Sequence, residues 1–230
     1  MAVSLDANSS AVLVDTVASL SATLTAVAPS AAGFGFSGSA SDFSATATIS
    51  SCTYDGNDMT QEVAMTSYQF IQTYAYSYLT TATGSKTASV TFNKNMDLVG
   101  MVITVAGGDS SDAVTAGNTV TGSGTTTACD LSCPSVSGEL VFGVFGSFDG
   151  AGNFTVNAGI TELGEATTGG WRASLAYVIS NSNPEDIGGD WTNSGIEWRV
   201  VAMSFKEAAA AGGVGHRIVG GGWGGRTIGA

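Results

Sequence analysis

Residues 19–27 read SLSATLTAV, and apolar side chains alternate with hydroxyl-bearing ones along the segment. One side of it carries Leu20, Ala22, Leu24 and Ala26. The other side carries only Ser and Thr. A period of two is typical of a β-strand with one buried face. The segment therefore predicts a half-buried strand.

Similar patterns recur along the chain and predict about nine to eleven strands. Further strands are predicted at 11–17, 68–80, 87–93, 97–108, 171–180 and 197–206, and within 135–150 and 153–166. Residues 44–66 predict a hairpin, because Asp55-Gly56 is a turn dipeptide that accepts positive φ. Turn signals recur at short intervals and no long helical pattern is present, which favours an all-β, antiparallel, jelly-roll-like β-sandwich.

Three segments rich in Gly, Ser or Thr interrupt these strands and are interpreted as loops. They are residues 30–43, 109–130 (with a weak strand at NTVTGS) and 181–196. We accordingly divide the chain into three parts. Residues 1–43 supply N-terminal strands and a loop of the sandwich, residues 44–207 form its core, and residues 208–230 form a Gly-rich C-terminal arm.

The composition agrees with a β protein and excludes several functions. The 230 residues include 21 Val but 10 Leu, together with 27 Thr, and β-branched residues are favoured in strands. Seven Lys and Arg face 19 Asp and Glu, a net charge of -12, which argues against nucleic-acid binding. The single histidine, His216, excludes a metal centre with several imidazoles. We expect no metal and no cofactor.

Targeting signals are not evident in the sequence. No apolar run reaches the roughly 18 residues that a transmembrane helix needs, so no membrane partner is expected. The N-terminus, MAVSLDANSS, has neither a basic region nor a continuous apolar region, so no signal peptide is expected. The chain is interpreted as a product of a cytoplasm.

Three cysteines leave more than one interpretation open. Cys129 and Cys133 frame the segment CDLSC, where a disulfide would close a very short loop. A zinc site would need four ligands, and Cys52 and His216 complement the pair poorly. Buried or reduced thiols are the favoured interpretation.

The C-terminal residues 208–230 have too little apolar content to form a core of their own. One interpretation is an unordered tail. The other is an arm that docks on a neighbouring subunit. Its partner-binding residues would be Ile218, Val219, Trp223 and Ile228.

No motif of nucleophilic, nucleotide-dependent or metal-dependent catalysis is found, and no catalytic residue is predicted. The acidic pairs considered are Glu162 with Glu165, Glu185 with Asp186, Asp109 with Asp112, and Asp186 with Asp190. Loop or surface roles are favoured for all of them. The aromatic residues considered as sugar-stacking platforms are Tyr74, Tyr76, Tyr78, Trp171 and Trp191. The two tryptophans are the predicted glycan contacts, whereas the tyrosines share one face of a strand and favour a core or an intersubunit surface.

The order of segments over residues 44–206 resembles a jelly-roll-like β-sandwich domain of bacteriophage structural proteins, which also recurs in uncharacterised bacterial surface proteins. The resemblance rests on CTYDGNDMT (52–60), YAYSYLTTATGSKTASVTF (74–92), MVITVAGGDSSDAV (101–114), SGELVFGVF (137–145) and WRVVAMSFK (198–206). No catalytic residue belongs to this pattern.

The resemblance implies a non-enzymatic structural protein of a phage virion. The expected role is that of a capsid decoration or cement protein, or of another outer head or tail component. The expected partners are other virion proteins, such as the major capsid protein, and further copies of the chain. The alternative is a carbohydrate-binding adhesin or receptor-binding module that contacts a surface glycan.

Overall fold

The computed structural model describes residues 2–40, 47–66, 71–148, 151–168 and 170–209. Within these ranges the chain forms seventeen strands and no α-helix. The strands are β1 (Ser4–Asn8), β2 (Val12–Ala26), β3 (Ala31–Ala40), β4 (Ile49–Tyr54), β5 (Asn57–Asp58), β6 (Thr60–Thr66), β7 (Gln72–Leu79), β8 (Gly84–Ala106), β9 (Val114–Gly124), β10 (Leu131–Cys133), β11 (Leu140–Phe148), β12 (Phe154–Val156), β13 (Thr161–Thr168), β14 (Trp171–Ile179), β15 (Glu185–Ile187), β16 (Gly189–Trp191) and β17 (Trp198–Phe205).

Two large antiparallel sheets form most of the molecule, and each comes from one contiguous half of the chain. The first sheet has eight strands in the order β5-β4-β8-β3-β7-β6, and β1 and β2 also pair with β8. The second sheet has the order β13-β14-β11-β17-β9. The predicted all-β antiparallel sandwich is confirmed, and β1 to β3 are integral to its first sheet.

The expectation of a loop at residues 30–43 is wrong for its described part, because residues 31–40 form the central strand β3. Every residue of β3 is buried, since the strand has apolar material on both faces. Phe34 and Phe36 point to one face, whereas Gly33 and Gly35 point to the other. Residues 114–124, expected to lie mostly in a loop, form the strand β9.

The 23-residue strand β8 pairs with β4 along its first half and with β3 along its second half, and it bends sharply between the two halves. Phe36 pairs in register with Gly100, eight residues beyond Phe92 on the same strand. A straight strand would separate these positions by about 26 Å. The rings of Phe36 and Phe92 nevertheless lie 6.0 Å apart, centroid to centroid. The first half of β8, with β2 and β4, therefore folds over the outer face of β3 and β7 and encloses an aromatic core.

A second core lies between the two sheets and depends on glycines in β3. Phe142, Val144, Met203 and Phe205 of the second sheet pack here against Met101 and Ile103. A Cβ placed on Gly33 would lie 2.7 Å from the ring of Phe205. The missing side chain thus lets the rings of the second sheet approach the backbone of β3.

Two small ribbons cover the outer face of the second sheet. Strand β10 pairs with β15, and β12 pairs with β16. They bury a third core that contains Phe145, Phe154 and Trp191. Among the residues that the structure describes, no helix has the length and hydropathy needed to cross a bilayer.

Candidate functional site

The two tryptophans predicted to contact a glycan are both buried, so this prediction is wrong. Trp171 and Trp191 are each 1% exposed. Trp171 packs against Ile71 and Val99, and Trp191 lies 4.8 Å from the ring of Phe154, centroid to centroid. A sugar stacks on an open indole face, and neither ring has one. Apolar neighbours from distant segments occupy these faces instead.

The three cysteines are free, buried thiols in the structure. The alternative of buried thiols therefore describes Cys129 and Cys133, and no disulfide joins them. Burial raises the pKa of Cys52 and of Cys133 to about 12, and it also raises that of Cys129. Since the thiolate is the reactive form, these side chains pack as small apolar groups.

Most members of the acidic pairs found in the sequence have local bonding partners. Glu162 accepts a hydrogen bond from Ser174, and Glu165 pairs with Arg172 at 3.0 Å. Glu185 accepts bonds from the backbone of Asn181 and Ser182 and so fixes the turn before β15. Bonds from Ser111 and the neighbouring Lys206 lower the pKa of Asp109 to about 2. In the described part of the chain, no three His, Cys, Asp or Glu side chains form a group that could hold a metal ion.

The proposed arm residues Ile218, Val219, Trp223 and Ile228 lie outside the described residues, as does His216. The described chain ends at Ala209, just after β17. Backbone hydrogen bonds hold these last described residues in place. The amide of Ala208 donates to Gly107, the amide of Lys206 donates to Ala113, and the carbonyl of Lys206 accepts from Asp109. The point from which residues 210–230 depart is therefore fixed beside the loop that connects the two sheets.

An array of hydroxyl groups covers the outside of β2, β8 and β4, and we call it the hydroxyl face. Its cross-strand pairs include Ser21 with Ser89 and Thr23 with Thr87, whose oxygens lie 2.7 and 2.8 Å apart. The face comprises Ser19, Ser21, Thr23 and Thr25 of β2, Ser85, Thr87, Ser89 and Thr91 of β8, and Ser51 and Thr53 of β4. All ten positions thus carry an uncharged, short, polar side chain.

A second surface feature is a cleft of about 460 Å³ where the β6–β7 edge of the first sheet meets β9 of the second sheet. We call it the acidic cleft. Its polar wall contains the carboxylates of Asp58, Glu62 and Asp112, together with Thr60, Ser77 and Ser111. Tyr78, Leu79, Val114 and two alanines complete the lining. No Lys or Arg is found among the described residues that line it.

The electrostatics of the acidic cleft centre on Glu62. Its carboxylate is half-buried and accepts a bond of 2.5 Å from Ser77. Burial raises the pKa of Glu62, the bond from Ser77 opposes the rise, and the charge of Asp112 adds to it. A cation in the cleft would offset both the desolvation and the repulsion.

A third depression, of about 470 Å³, lies between β4 and β6, and we call it the tyrosine groove. Tyr74 and Tyr76 line it with Gln61, Ile49 and Ala64. Both rings are mostly buried, which agrees with the core assignment that the sequence favoured for them. The Tyr76 hydroxyl donates a bond of 2.8 Å to Gln61.

Sequence reasoning missed both the hydroxyl face as a surface and the acidic cleft. The hydroxyl residues of β2 were visible as the polar half of the alternation at 19–27, but the register with β8 and β4 was not. The cleft combines residues 58–62, 77–79 and 111–116, which only the folded chain brings together. No pattern within any one of these segments marks it.

Comparison of the chain with models of known protein families, with curated proteins and with solved structures gave no match.

Proposed function

We propose that this chain is a non-enzymatic structural protein of a phage virion. In this proposal it is a capsid decoration or cement protein, or another outer component of the head or tail. It assembles through surfaces of the sandwich and through its C-terminal arm. The resemblance of residues 44–206 to phage structural domains supports the proposal, and so does the sandwich architecture, although a sandwich fold is compatible with many functions.

The observation that carries the proposal is the hydroxyl face. Copies of a chain with a net charge of -12 repel one another, so a contact between copies or with a shell needs a region without acidic groups. Ten Ser and Thr side chains on three paired strands provide such a region. Short hydroxyl side chains lose little conformational entropy when a partner covers them.

Assembly on a shell lattice requires only modest affinity at each contact. Many copies bound side by side act together, and the linked contacts give a much tighter attachment than any single one. Here the hydroxyl face would supply one contact, and residues 210–230 would supply another across a subunit boundary.

The proposal is tested by quantitative peptide mass spectrometry of purified particles from the source lysate. A ratio to the major shell protein near one, or a simple fraction of it, is the expected result for a lattice component. A few copies per particle would place the chain in the tail or a fibre. Complete absence would contradict the proposal.

The same assay tests the hydroxyl face when the phage carries Thr23→Lys in this chain. A lysine there places an unpaired charge in the contact, so we expect fewer copies per particle. Ser194→Lys provides the control, because Ser194 lies in an exposed turn before β17, away from the hydroxyl face. Equal loading of both variants would show that the hydroxyl face is not a contact.

A carbohydrate-binding module is the alternative function, and the tyrosine groove is the observation that favours it. The exposed amide of Gln61 lies on this depression beside the Tyr76 hydroxyl, and an amide can both donate to and accept from sugar hydroxyls. A glycan array with the unchanged chain and with Gln61→Ala tests this alternative. Binding that the variant loses would support it, and no binding to any glycan would contradict it.

A further inference from the structure

The basic residues of the described chain are mostly engaged away from the acidic cleft. Lys86 pairs with Asp55, Arg172 with Glu165, Arg199 with Glu197, and Lys206 with Asp109. The carboxylates of Asp58, Glu62 and Asp112 therefore face the cleft without a described cation in its lining.

The shape of the acidic cleft favours an organic cation over a metal ion. Its three carboxylates do not form a group close enough to hold one metal, as judged over the described residues. They instead line a cleft of about 460 Å³, wide enough for a side chain. An arginine guanidinium suits such a site, because its planar fork bonds two carboxylate oxygens at once and it is more weakly hydrated than an ammonium.

The chain itself contains arginines that could bind in an acidic cleft of this kind. Residues 210–230 carry Arg217 and Arg226 and no Asp or Glu, so this segment has a charge of +2. The remaining residues carry -14, which follows from the net charge of -12. The two parts of the chain are thus complementary in charge.

The direction of the chain at its exit points to a second copy as the source. Phe205 pairs with Val114, the amide of Lys206 bonds to Ala113, Glu207 bridges to Gly108 and Ala208 bonds to Gly107. The chain thus runs away from residues 111–116, which form one wall of its own cleft. At its last described residues the chain therefore leads away from the cleft of its own copy.

We propose that the acidic cleft binds the arginine-bearing segment 210–230 of a second copy of this chain. The inference rests on the proposed function, since it names the surface on which the arm docks. Arg217 and Arg226 meet Asp58, Glu62 and Asp112 of the neighbour. Because exit and cleft lie close together, two copies can exchange segments reciprocally and close a dimer.

The test is a charge exchange in the full-length chain, followed by sedimentation velocity. One variant reverses the cleft with Asp58→Lys and Asp112→Lys, both exposed positions. The other reverses the arm with Arg217→Glu and Arg226→Glu. The control, Asp15→Lys with Asp186→Lys, makes the same charge change at exposed positions away from the cleft. Circular dichroism establishes that each variant keeps its sheets.

We expect the unchanged chain and the control to associate at low salt and to dissociate as salt screens the charges. Each reversed variant alone should lose the associated species at the concentration where the unchanged chain is half associated. An equimolar mixture of the two should regain it, because a Glu-bearing arm then meets a Lys-bearing cleft and the original pair also remains available.

Three results would overturn the inference. They are an unchanged chain that stays monomeric, a reversed variant that associates as the unchanged chain does, and a mixture that stays monomeric. The first would mean that the segment binds within its own chain or nowhere. The last would mean that arm and cleft are not the two surfaces that pair. If the chain associates as expected but is absent from particles, the proposed function is contradicted and this inference is not. If the chain is present in particles but its association depends on neither salt nor the variants, this inference is contradicted and the proposed function is not.

Discussion

Glycine at position 35 lets the two sheets approach each other at the centre of the molecule. A Cβ at this position would contact Val144 and would lie 2.8 Å from the ring of Phe142. Both neighbours are buried and cannot move away without disturbing the inter-sheet core. The absence of a side chain at this residue is therefore a packing requirement.

We predict that Gly35→Ala destabilises the fold by about 1–3 kcal/mol, the usual range for overpacking a well-filled core. The free energy of unfolding in urea measures the change. Gly164→Ala is the matched control, because its new Cβ would come 3.0 Å from only the flexible end of Met101. Equal stability of the two variants would contradict the packing argument.

Glu62 gives the stability of the fold a dependence on pH. Because burial raises the pKa of this carboxyl in the folded chain, the folded state keeps its proton at pH values where the unfolded state has released it. The free energy of unfolding should therefore fall as the pH rises from the unfolded pKa through the folded pKa. At higher pH this loss is complete.

We predict that Glu62→Gln removes this loss, so that the variant gains stability relative to the unchanged chain as the pH rises through that interval. Urea unfolding over a pH series measures the difference. Glu162→Gln is the control. Like Glu62, Glu162 accepts a hydrogen bond from a serine, Ser174, but Glu162 is exposed. A constant difference between Glu62→Gln and the unchanged chain at every pH would refute the prediction.

At the scale of elements, Glu139 connects the strands at one end of the second sheet. This carboxylate is 3% exposed and accepts bonds from Thr115 and Asn118 of β9, from Ser204 of β17 and from the amide of Val136. Four donors thus replace the water that the charged group loses on burial. The side chain fixes β9 and β17 relative to the start of β11.

We predict that Glu139→Gln costs about 2 kcal/mol, because an amide nitrogen then faces hydrogen-bond donors and the charge-assisted bonds are lost. Thermal and urea unfolding measure it. Ser204→Ala removes one donor and should cost less, near 1 kcal/mol. If Glu139→Gln unfolded at the same urea concentration as the unchanged chain, the carboxylate would have no such connecting role.

The elements with simple alternation could be predicted from the sequence, whereas those buried on both faces could not. The alternation at 19–27 correctly gave the buried and exposed faces of β2. Asp55-Gly56 does form the β4–β5 turn, with both residues at positive φ. Strand β3 was missed because its glycines were interpreted as a sign of a flexible loop. In the structure they let the rings of Phe142 and Phe205 pack against the backbone of β3. Those rings lie more than a hundred residues away in the sequence, so no local pattern shows this role.

At the scale of the whole molecule, the described residues form four buried hydrophobic clusters, and all 19 acidic residues precede residue 210. We therefore expect the fold not to depend on the basic C-terminal segment. Neither the hydroxyl face nor the acidic cleft could be predicted, because each depends on which strands become neighbours.

We predict that a chain ending at Ala209 keeps its free energy of unfolding within about 0.5 kcal/mol, because it retains every residue of the described hydrophobic clusters. The same chain should no longer associate or load onto particles. Urea unfolding and sedimentation measure the two properties, and the full-length chain with Arg217→Glu and Arg226→Glu is the control for charge alone. Loading at full occupancy by the shortened chain would contradict the role of the arm.

The position of β8 also has a consequence for the order of events during synthesis. Strands β1 and β2 pair with β8, and β3 pairs with β8 and with β7. A chain emerging from the ribosome therefore exposes about forty residues of strand-forming sequence before the first of these partners has been made. Residues 84–106 must leave the exit tunnel before the first sheet can be completed. Completion of this sheet therefore depends on contacts between segments distant in sequence, and such contacts form slowly.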